Sequence, residues 1–222
     1  MSDKEKLSEY LAGDFKWKDY LKGGDYKSMD LINVDLSELD LTGADFSGAD
    51  LTGTDLKSSI LVNADFSDAN LSFVDLSIAE LCGADFSRAD LSFALLAAAN
   101  LSGADLSFSD CNYAEFVTSN LKNAILEGAT LTNAILTAAD LSYANLVGSN
   151  LDKAELRNTQ FYCSDLTGSM ITNSDLYHTF FQKAKLNGAD LRGSFLLLTN
   201  FVGADLNNVV LPNNFIVDIK EI

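Results

Sequence analysis

Every fifth residue from Leu31 to Leu211 is large and apolar or, once, a cysteine, and the register never slips. These 37 positions hold 28 Leu, seven Phe, one Ile and one Cys. A period of five matches neither the 3.6 residues of a helical turn nor the two-residue alternation of a strand. Each unit must therefore combine a short extended piece with a bend. We call the large residue the centre of its unit.

The residues around each centre show where the bend falls. The 33 positions that precede a centre by two, from 44 to 204, hold 20 Ala, eight Ser, four Thr and one Val. These small side chains point to the same side as the centre, as alternate strand residues do. Eleven of the 14 Gly and eight Asn lie two residues after a centre, and both tolerate positive φ. Short strands alternating with tight turns predict a solenoid whose coils pair through backbone hydrogen bonds.

The spacing of the aromatic residues predicts four sides per coil. Like side chains tend to stack in a solenoid, and the central phenylalanines recur at intervals of 20 residues in two groups. The structural core that this spacing predicts consists of Phe46, Phe66 and Phe86, and of Phe161, Phe181 and Phe201. Because no two central phenylalanines lie 15 or 25 residues apart, each coil should contain four units of five residues.

Two successive units carry a resemblance to a known family. Residues 44–48 read Ala-Asp-Phe-Ser-Gly and residues 49–53 read Ala-Asp-Leu-Thr-Gly. This resembles the pentapeptide repeat family, whose pattern is Ala, Asp or Asn, Leu and two variable residues. The resemblance implies an all-β solenoid, a right-handed quadrilateral β-helix, and nine coils at about 4.8 Å give a rod about 45 Å long. The unbroken repeats look most like cyanobacterial members of the family.

The ends of the rod should differ from its middle. The predicted parts are an N-terminal helical and aromatic cap (1–28), the pentapeptide-repeat β-helix (29–213) and a C-terminal tail or cap (214–222). Ser2 is a helix cap candidate, and an uncovered coil would invite end-to-end pairing. The aromatic group expected against the first coil is Phe15, Trp17 and Tyr20. A partner-binding arm is the alternative role for this N-terminal segment.

Near the C-terminus, apolar residues replace outward polar ones. They are Phe195, Leu197, Leu198, Val209, Val210, Phe215, Val217 and Ile219. Either the tail folds back as a plug, or terminal coils pair in a two-fold dimer. Family members of the quinolone-resistance type dimerise through this end, so the resemblance implies a homodimer through the C-terminal coil as one option.

The chain offers no arrangement of residues that predicts catalysis. Its single histidine, His178, lies at an outward turn position. The other candidate groups are carboxylates that recur at regular intervals along the repeat. We therefore expect no enzyme activity, no cofactor and no bound metal. No apolar run approaches the roughly 20 residues of a membrane span, and the start lacks a signal-peptide core. The three cysteines do not form a disulfide framework, which favours a cytoplasmic protein with reduced thiols.

The charge of the chain, −17, is concentrated in its first half. Residues 1–120 hold eight Lys or Arg against 22 Asp or Glu, whereas residues 121–222 hold seven against 10. This sign disfavours direct binding of nucleic acid. The predicted acidic columns are Asp45, Asp65, Asp85 and Asp105 on one side, and Asp35, Asp55, Asp75 and Glu115 on another. They either keep the rod soluble or imitate DNA phosphates, because family members that protect DNA gyrase act as such mimics.

A second surface feature is an outward aromatic column. Phe73, Phe93 and Tyr113 are spaced by 20 residues, and Leu95 and Ile78 occupy adjoining outward positions. Stacked aromatics could serve only to strengthen the rod, or could form a docking patch for a protein. The sequence predicts a non-enzymatic protein-interaction module on a rigid acidic rod, open to a regulatory role, with an unknown partner. A DNA mimic that binds gyrase or topoisomerase is the first alternative, and a purely structural spacer is the second.

Overall fold

The computed structural model describes residues 1–14, 18 and 21–213. From Asp25 onwards, the outward residue before each centre pairs in parallel with the residue 20 positions later, and this continues to the pair Asp190 and Val210. Each side of a coil contributes one such paired residue rather than a longer strand. The backbone N–H of Phe46 donates to the Asp65 carbonyl at 2.7 Å, and Asp65 N–H donates to the Ala44 carbonyl at 2.9 Å. The four-sided solenoid predicted from the sequence is confirmed.

Tight turns form the corners between the sides. The Ala44 N–H donates to the Leu41 carbonyl at 3.0 Å and closes a four-residue turn. Its third residue, Gly43, has a φ of 67°, and Asn33 adopts 55° at the same position of another unit. A positive φ at the third residue is the requirement of a type II turn. This requirement accounts for the placement of Gly and Asn two residues after the centres.

The outward acidic residues also hold the turns. One carboxylate oxygen of Asp45 accepts hydrogen bonds from the Ser47 N–H at 3.1 Å and the Ser47 hydroxyl at 2.7 Å. The amide oxygen of Asn70 accepts from the Ser72 N–H at 3.1 Å in the same way. Such side-chain bonds satisfy a backbone donor that the turn leaves free. The alternation of Asp and Asn at this position therefore has a structural cause that is independent of charge.

Stacked phenylalanines fill the core on two sides of the rod. The ring centroids of Phe46 and Phe66 lie 5.2 Å apart, and those of Phe66 and Phe86 lie 5.0 Å apart. In the later stack, Phe181 lies 4.9 Å from Phe161 and 5.3 Å from Phe201.

The repeat begins earlier than the register from Leu31 indicates. Leu21 and Tyr26 are fully buried in the core. The Tyr26 ring lies 5.1 Å from Phe46 and extends the first phenylalanine stack by one coil. Both residues are in phase with the later centres, and this phase is the sequence signal that places them.

Helix α1, Asp3–Leu11, covers the first coil. The Ser2 side chain accepts from the Glu5 N–H at 3.2 Å, while Glu5 accepts from the Ser2 N–H, so the predicted cap is a capping box. Leu7 is fully buried in the core, and the Asp3 carboxylate accepts from the Asp25 N–H at 3.3 Å. The aromatic group predicted against this coil, Phe15, Trp17 and Tyr20, lies outside the described residues.

The C-terminal coil exposes apolar surface. Phe195, Leu197, Leu198 and Val210 are exposed, and the centre Leu211 is only partly buried. The predicted tail residues Phe215, Val217 and Ile219 lie outside the described residues. Coverage of this end by the tail or by a second copy therefore stays a prediction.

All three cysteines are free thiols, as the sequence predicts. Cys111 occupies a centre, and burial raises the pKa of its thiol to about 12. In the part of the chain that the structure describes, no helix has the length and apolar character needed to cross a membrane.

Candidate protein-interaction surface

Phe73, Phe93 and Tyr113 form a continuous stack on one corner of three successive coils, which we call the aromatic ladder. The ring centroids of Phe73 and Phe93 lie 4.9 Å apart with planes inclined by 4°, and those of Phe93 and Tyr113 lie 4.8 Å apart at 2°. The exposed fractions of the three residues are 60%, 44% and 50%. The ladder thus presents about half of three parallel rings to the solvent.

Apolar and acidic side chains adjoin the ladder. Leu95 lies in the outward column of the next side, where the pairing order is Asp55, Asp75, Leu95 and Glu115. Leu95 and Ile78 are both exposed. An exposed apolar patch therefore has carboxylates beside it in the coils before and after Leu95. Protein interfaces have the same arrangement of an apolar core and a polar rim.

Fold stability gives little reason for aromatic residues in the ladder. Phe73, Phe93 and Tyr113 adopt φ values of 59°, 59° and 60°, and this left-handed conformation costs a non-glycine residue about 1–2 kcal/mol. Two stacked pairs contribute about 0.5–1.5 kcal/mol each, and partial burial contributes roughly 1 kcal/mol per ring. The opposing terms cancel to within about 3 kcal/mol. Glycine and asparagine satisfy the same turn at other corners with less strain.

The parallel pairing of the coils shows which residues of the two predicted acidic columns are direct neighbours. The first begins at Asp25, one coil before the predicted Asp45, and runs through Asp65 and Asp85 to Asp105, after which Ile125 interrupts it. The second contains Asp35, Asp55 and Asp75, and Leu95 separates these from Glu115. Neither column is an unbroken line of charge along the whole rod.

The two columns differ in their basic neighbours. Lys27 lies 2.9 Å from Asp45 in the first column, and Arg88 lies 2.7 Å from Asp68 on the adjoining corner. Among the residues that the structure describes, no Lys or Arg forms an ion pair with Asp55 or Asp75 beside the ladder. These two carboxylates are therefore available to a cation from outside the molecule.

Hydrogen bonds stabilise the charged form of some of these carboxylates. Bonds from the Ser37 hydroxyl and N–H hold the pKa of Asp35 below its usual range. Burial raises the pKa of Asp45, but hydrogen bonds from Lys27 and Ser47 outweigh burial and lower it overall. Both groups are ionised at neutral pH.

Two exposed aromatic residues at turn positions, Phe108 and Tyr143, escaped the sequence reasoning. Phe108 is 64% exposed and has the same left-handed turn conformation as the ladder residues, but it lies on a different corner. Its ring lies over Gly128, where an added Cβ would come within 2.7 Å of it. Because no aromatic residue stands 20 positions before or after Phe108, no spacing pattern marks it in the sequence.

The surroundings of His178 show no catalytic geometry. Its Nδ1 lies 2.8 Å from the Asn158 side-chain oxygen, and its ring packs edge-on against Phe180 at 4.6 Å. Within residues 1–14, 18 and 21–213, no cluster of three or more His, Cys, Asp or Glu has a geometry that could hold a metal ion.

The chain matches the family model "Pentapeptide repeats" over most of its length, and it belongs to this family. The matched segments are residues 30–68, 64–103, 99–138, 139–176 and 181–213. The predicted family membership and the right-handed quadrilateral β-helix are thereby confirmed. No curated protein sequence matches the chain at a significant level.

Two solved proteins show how far the similarity extends. HetL, a pentapeptide repeat protein involved in heterocyst differentiation regulation from the cyanobacterium Nostoc sp. strain PCC 7120, is 28% identical with a TM-score of 0.80. That match covers 98% of this chain and 100% of HetL. A trypsin-treated form of QnrB1, a plasmid-mediated fluoroquinolone resistance protein, is 27% identical with a TM-score of 0.58, and the match covers 85% of this chain and 92% of QnrB1.

Proposed function

We propose that this chain is a non-enzymatic protein-interaction module that binds its partner through the aromatic ladder, with Leu95 and Ile78 as adjoining contacts. The observation that supports the proposal most strongly is the exposure of three stacked rings at left-handed turn positions, where fold stability gives them little advantage. Exposed aromatic groups with a polar rim are the usual anchors of protein interfaces. Similarity to HetL favours a regulatory role for the interaction.

The free carboxylates suit the same surface. Asp55 and Asp75 lack basic partners among the described residues, and they follow the ladder corner by two residues along the chain. A partner with basic residues around an apolar contact would complement this arrangement and associate faster at low ionic strength. We place the protein in the cytoplasm, which agrees with its three free cysteines.

A DNA mimic that acts on gyrase or another topoisomerase is the second candidate function. The column from Asp25 to Asp105 and the similarity to QnrB1 favour it. Ile125 interrupts that column, and Lys27 neutralises part of its charge at Asp45. The column therefore imitates a row of phosphates over only part of the length of the rod. A purely structural spacer is the third candidate and requires no partner.

Affinity capture from the lysate of the source organism tests the proposal. The baits are the wild type, Phe93→Glu and the matched control Phe108→Glu, which places the same charge at an equally shaped turn on another corner. We expect a partner that wild type and Phe108→Glu retain and that Phe93→Glu loses. Equal retention by all three baits would reject the aromatic ladder as the contact surface.

Salt separates the two binding functions in the same experiment. An apolar contact should persist at moderate salt, whereas a partner held by carboxylates alone should be released as salt rises. Topoisomerase subunits that all baits retain at low salt and release at moderate salt would favour the DNA mimic. Absence of any specific partner at both salt concentrations would favour the spacer.

The exposed residues of the last coil supply a further proposal, a homodimer through the C-terminal coil. Phe195, Leu197 and Leu198 are each more than half exposed. Sedimentation of the wild type beside Leu197→Glu checks this, because a dimer through this end should dissociate in the variant while a monomer should be unchanged.

A further inference from the structure

The aromatic ladder has an open end at Gly53. The residues stacked on this corner are, in order along the rod, Asn33, Gly53, Phe73, Phe93 and Tyr113. Phe93 has a ring on both faces, whereas the coil before Phe73 contributes only a glycine. The exposed fraction of Phe73, 60%, is correspondingly the largest of the three rings.

Side chains on these corners lean towards the following coil. The Asn33 side-chain oxygen would lie 2.4 Å from a Cβ placed on Gly53, and the Phe108 ring covers Gly128 in the same manner. Asn33 therefore covers Gly53, and Gly53 has no side chain with which to cover Phe73. We call the space between the Gly53 turn and the ring face of Phe73 that points away from Phe93 the slot.

Three carboxylates surround this slot. Asp50 and Asp55 lie on either side of Gly53 in one coil, and Asp75 follows Phe73 in the next. One oxygen of each holds its own turn: Asp50 accepts from the Thr52 N–H at 3.1 Å, and Asp55 and Asp75 accept from the following turns at 2.9 Å. The second oxygen of each carboxylate is available to a cation.

Nothing basic in the described residues occupies the slot. Lys57 is the sole Lys or Arg between residues 28 and 87, and it forms no ion pair with Asp50, Asp55 or Asp75. A planar hydrophobic face beside unpaired carboxylates suits a planar cation. The guanidinium group of arginine stacks on aromatic rings and binds carboxylates in a bidentate manner, which the compact ammonium group of lysine cannot do.

We propose that the slot between Gly53 and Phe73 receives an arginine side chain from a basic segment of the partner protein, with Asp55 and Asp75 as its carboxylate partners. This inference rests on the proposed function, since it assigns the chemistry of the contact to one end of the aromatic ladder. The remaining rings then contact the apolar residues of the partner.

A peptide pair tests the preference for arginine directly. The probes are a fluorescein-labelled arginine–glycine peptide and an otherwise identical lysine–glycine peptide, titrated with the full-length protein at low salt and followed by fluorescence anisotropy. Stacking of the guanidinium should make the arginine peptide bind about fivefold more tightly. Equal affinity for the two peptides would overturn the proposal, because charge alone attracts both.

Gly53→Asn closes the slot without changing any charge. Asparagine already adopts the required positive φ at position 33 of the same corner. The new side chain at position 53 would displace only the flexible end of the Asn33 side chain. We expect this variant to lower arginine-peptide affinity to the lysine-peptide level. An unchanged arginine preference would overturn the proposal. Phe73→Leu, which keeps an apolar side chain but lacks a ring face, gives the same test should Gly53→Asn prove unstable on thermal unfolding.

Charge variants complete the experiment. Asp55→Asn with Asp75→Asn removes two charges and keeps the oxygen that holds each turn, as Asn70 does. The control, Asp65→Asn with Asp85→Asn, removes the same charge from another side of the rod. The first pair should weaken arginine binding more than the control pair, and equal weakening would contradict a local site. Should Phe93→Glu abolish partner capture while both peptides bind alike, the arginine slot fails and the proposed function stands.

Discussion

The two halves of the rod share one core but differ in how they neutralise their acidic residues. Between Asp30 and Glu115 there are 16 Asp or Glu, of which three form ion pairs with Lys or Arg. Between Glu127 and Asp205 there are eight, of which five form such pairs. The aromatic ladder lies in the half whose carboxylates are mostly unpaired. The outward surface of this repeat can therefore change without any change in the fold beneath it.

Four of the ion pairs among the described residues share one geometry. A basic residue directly after a centre reaches the outward carboxylate 18 residues later, in the next coil, as Lys122 reaches Asp140 and Arg157 reaches Asp175. The corresponding positions of the first half are mostly Ser, Thr or apolar. Replacing these residues with Lys or Arg is therefore one change that would add ion pairs to the acidic half.

The largest effect should come from the shared core. Phe66 and Phe181 are each fully buried between stacked rings in different halves. Replacing either with Ala should reduce the free energy of unfolding by about 3–5 kcal/mol, because the cavity cannot close between fixed coils. Urea unfolding measures both variants. A markedly smaller loss of unfolding free energy for the variant in one half would show that the two halves do not have equivalent cores.

Acidification should lower the stability of the second half of the rod, where most carboxylates form ion pairs. Burial raises the pKa of Asp165, but hydrogen bonds from Thr167 and Lys185 outweigh burial and hold the pKa below its usual range. A lowered folded-state pKa adds stability above the unfolded-state value and loses it as pH falls through the folded value. Thermal unfolding between about pH 5 and pH 2 should show this loss, and Lys185→Gln should reduce it. The same slope in the variant would contradict the role of Lys185.

The aromatic ladder should matter little for stability. Phe73→Asn removes one stacked pair and relieves the strain of an aromatic residue at positive φ, so unfolding free energy should change by less than about 1 kcal/mol. The same urea unfolding experiment measures it. A loss of several kcal/mol would show that the ladder serves the fold and would remove the main support for a docking surface.

The smallest effect on stability should come from adding to the first half an ion pair of the geometry found in the second half. Ser92→Lys places a base 18 residues before Asp110, the spacing that Lys122 and Asp140 use. Exposed pairs contribute about 0.2–1 kcal/mol, and salt screens them. The melting temperature should rise slightly at low salt and return to the wild-type value at high salt. A rise that does not depend on salt would exclude an ion pair as its cause.

The sequence predicts the fold well because every coil repeats the same short strands and turns. A centre every five residues, turn residues two positions later and phenylalanines every 20 residues determine the number of sides, and the spacing of Phe73, Phe93 and Tyr113 predicts their common corner. Leu21 precedes the register from Leu31 and was missed, although it is in phase with the later centres.

Other features depend on three-dimensional detail that no period reveals. The ion pairs with a spacing of 18 join side chains of neighbouring coils, and the position of the Asn33 side chain over Gly53 depends on the direction in which that side chain points. The function of the acidic residues is also hidden in the sequence, because Asp45 and Asn70 hold their turns in the same way.

The most direct test of the aromatic ladder as the contact surface is site-specific photo-crosslinking in cells. A benzoylphenylalanine residue replaces Leu95, beside the ladder, or Ile135, which lies two coils further along the same outward column. If the aromatic ladder is the contact surface, a partner should crosslink at position 95 and not at position 135. Equal crosslinking at both positions, or crosslinking only at position 135, would contradict it.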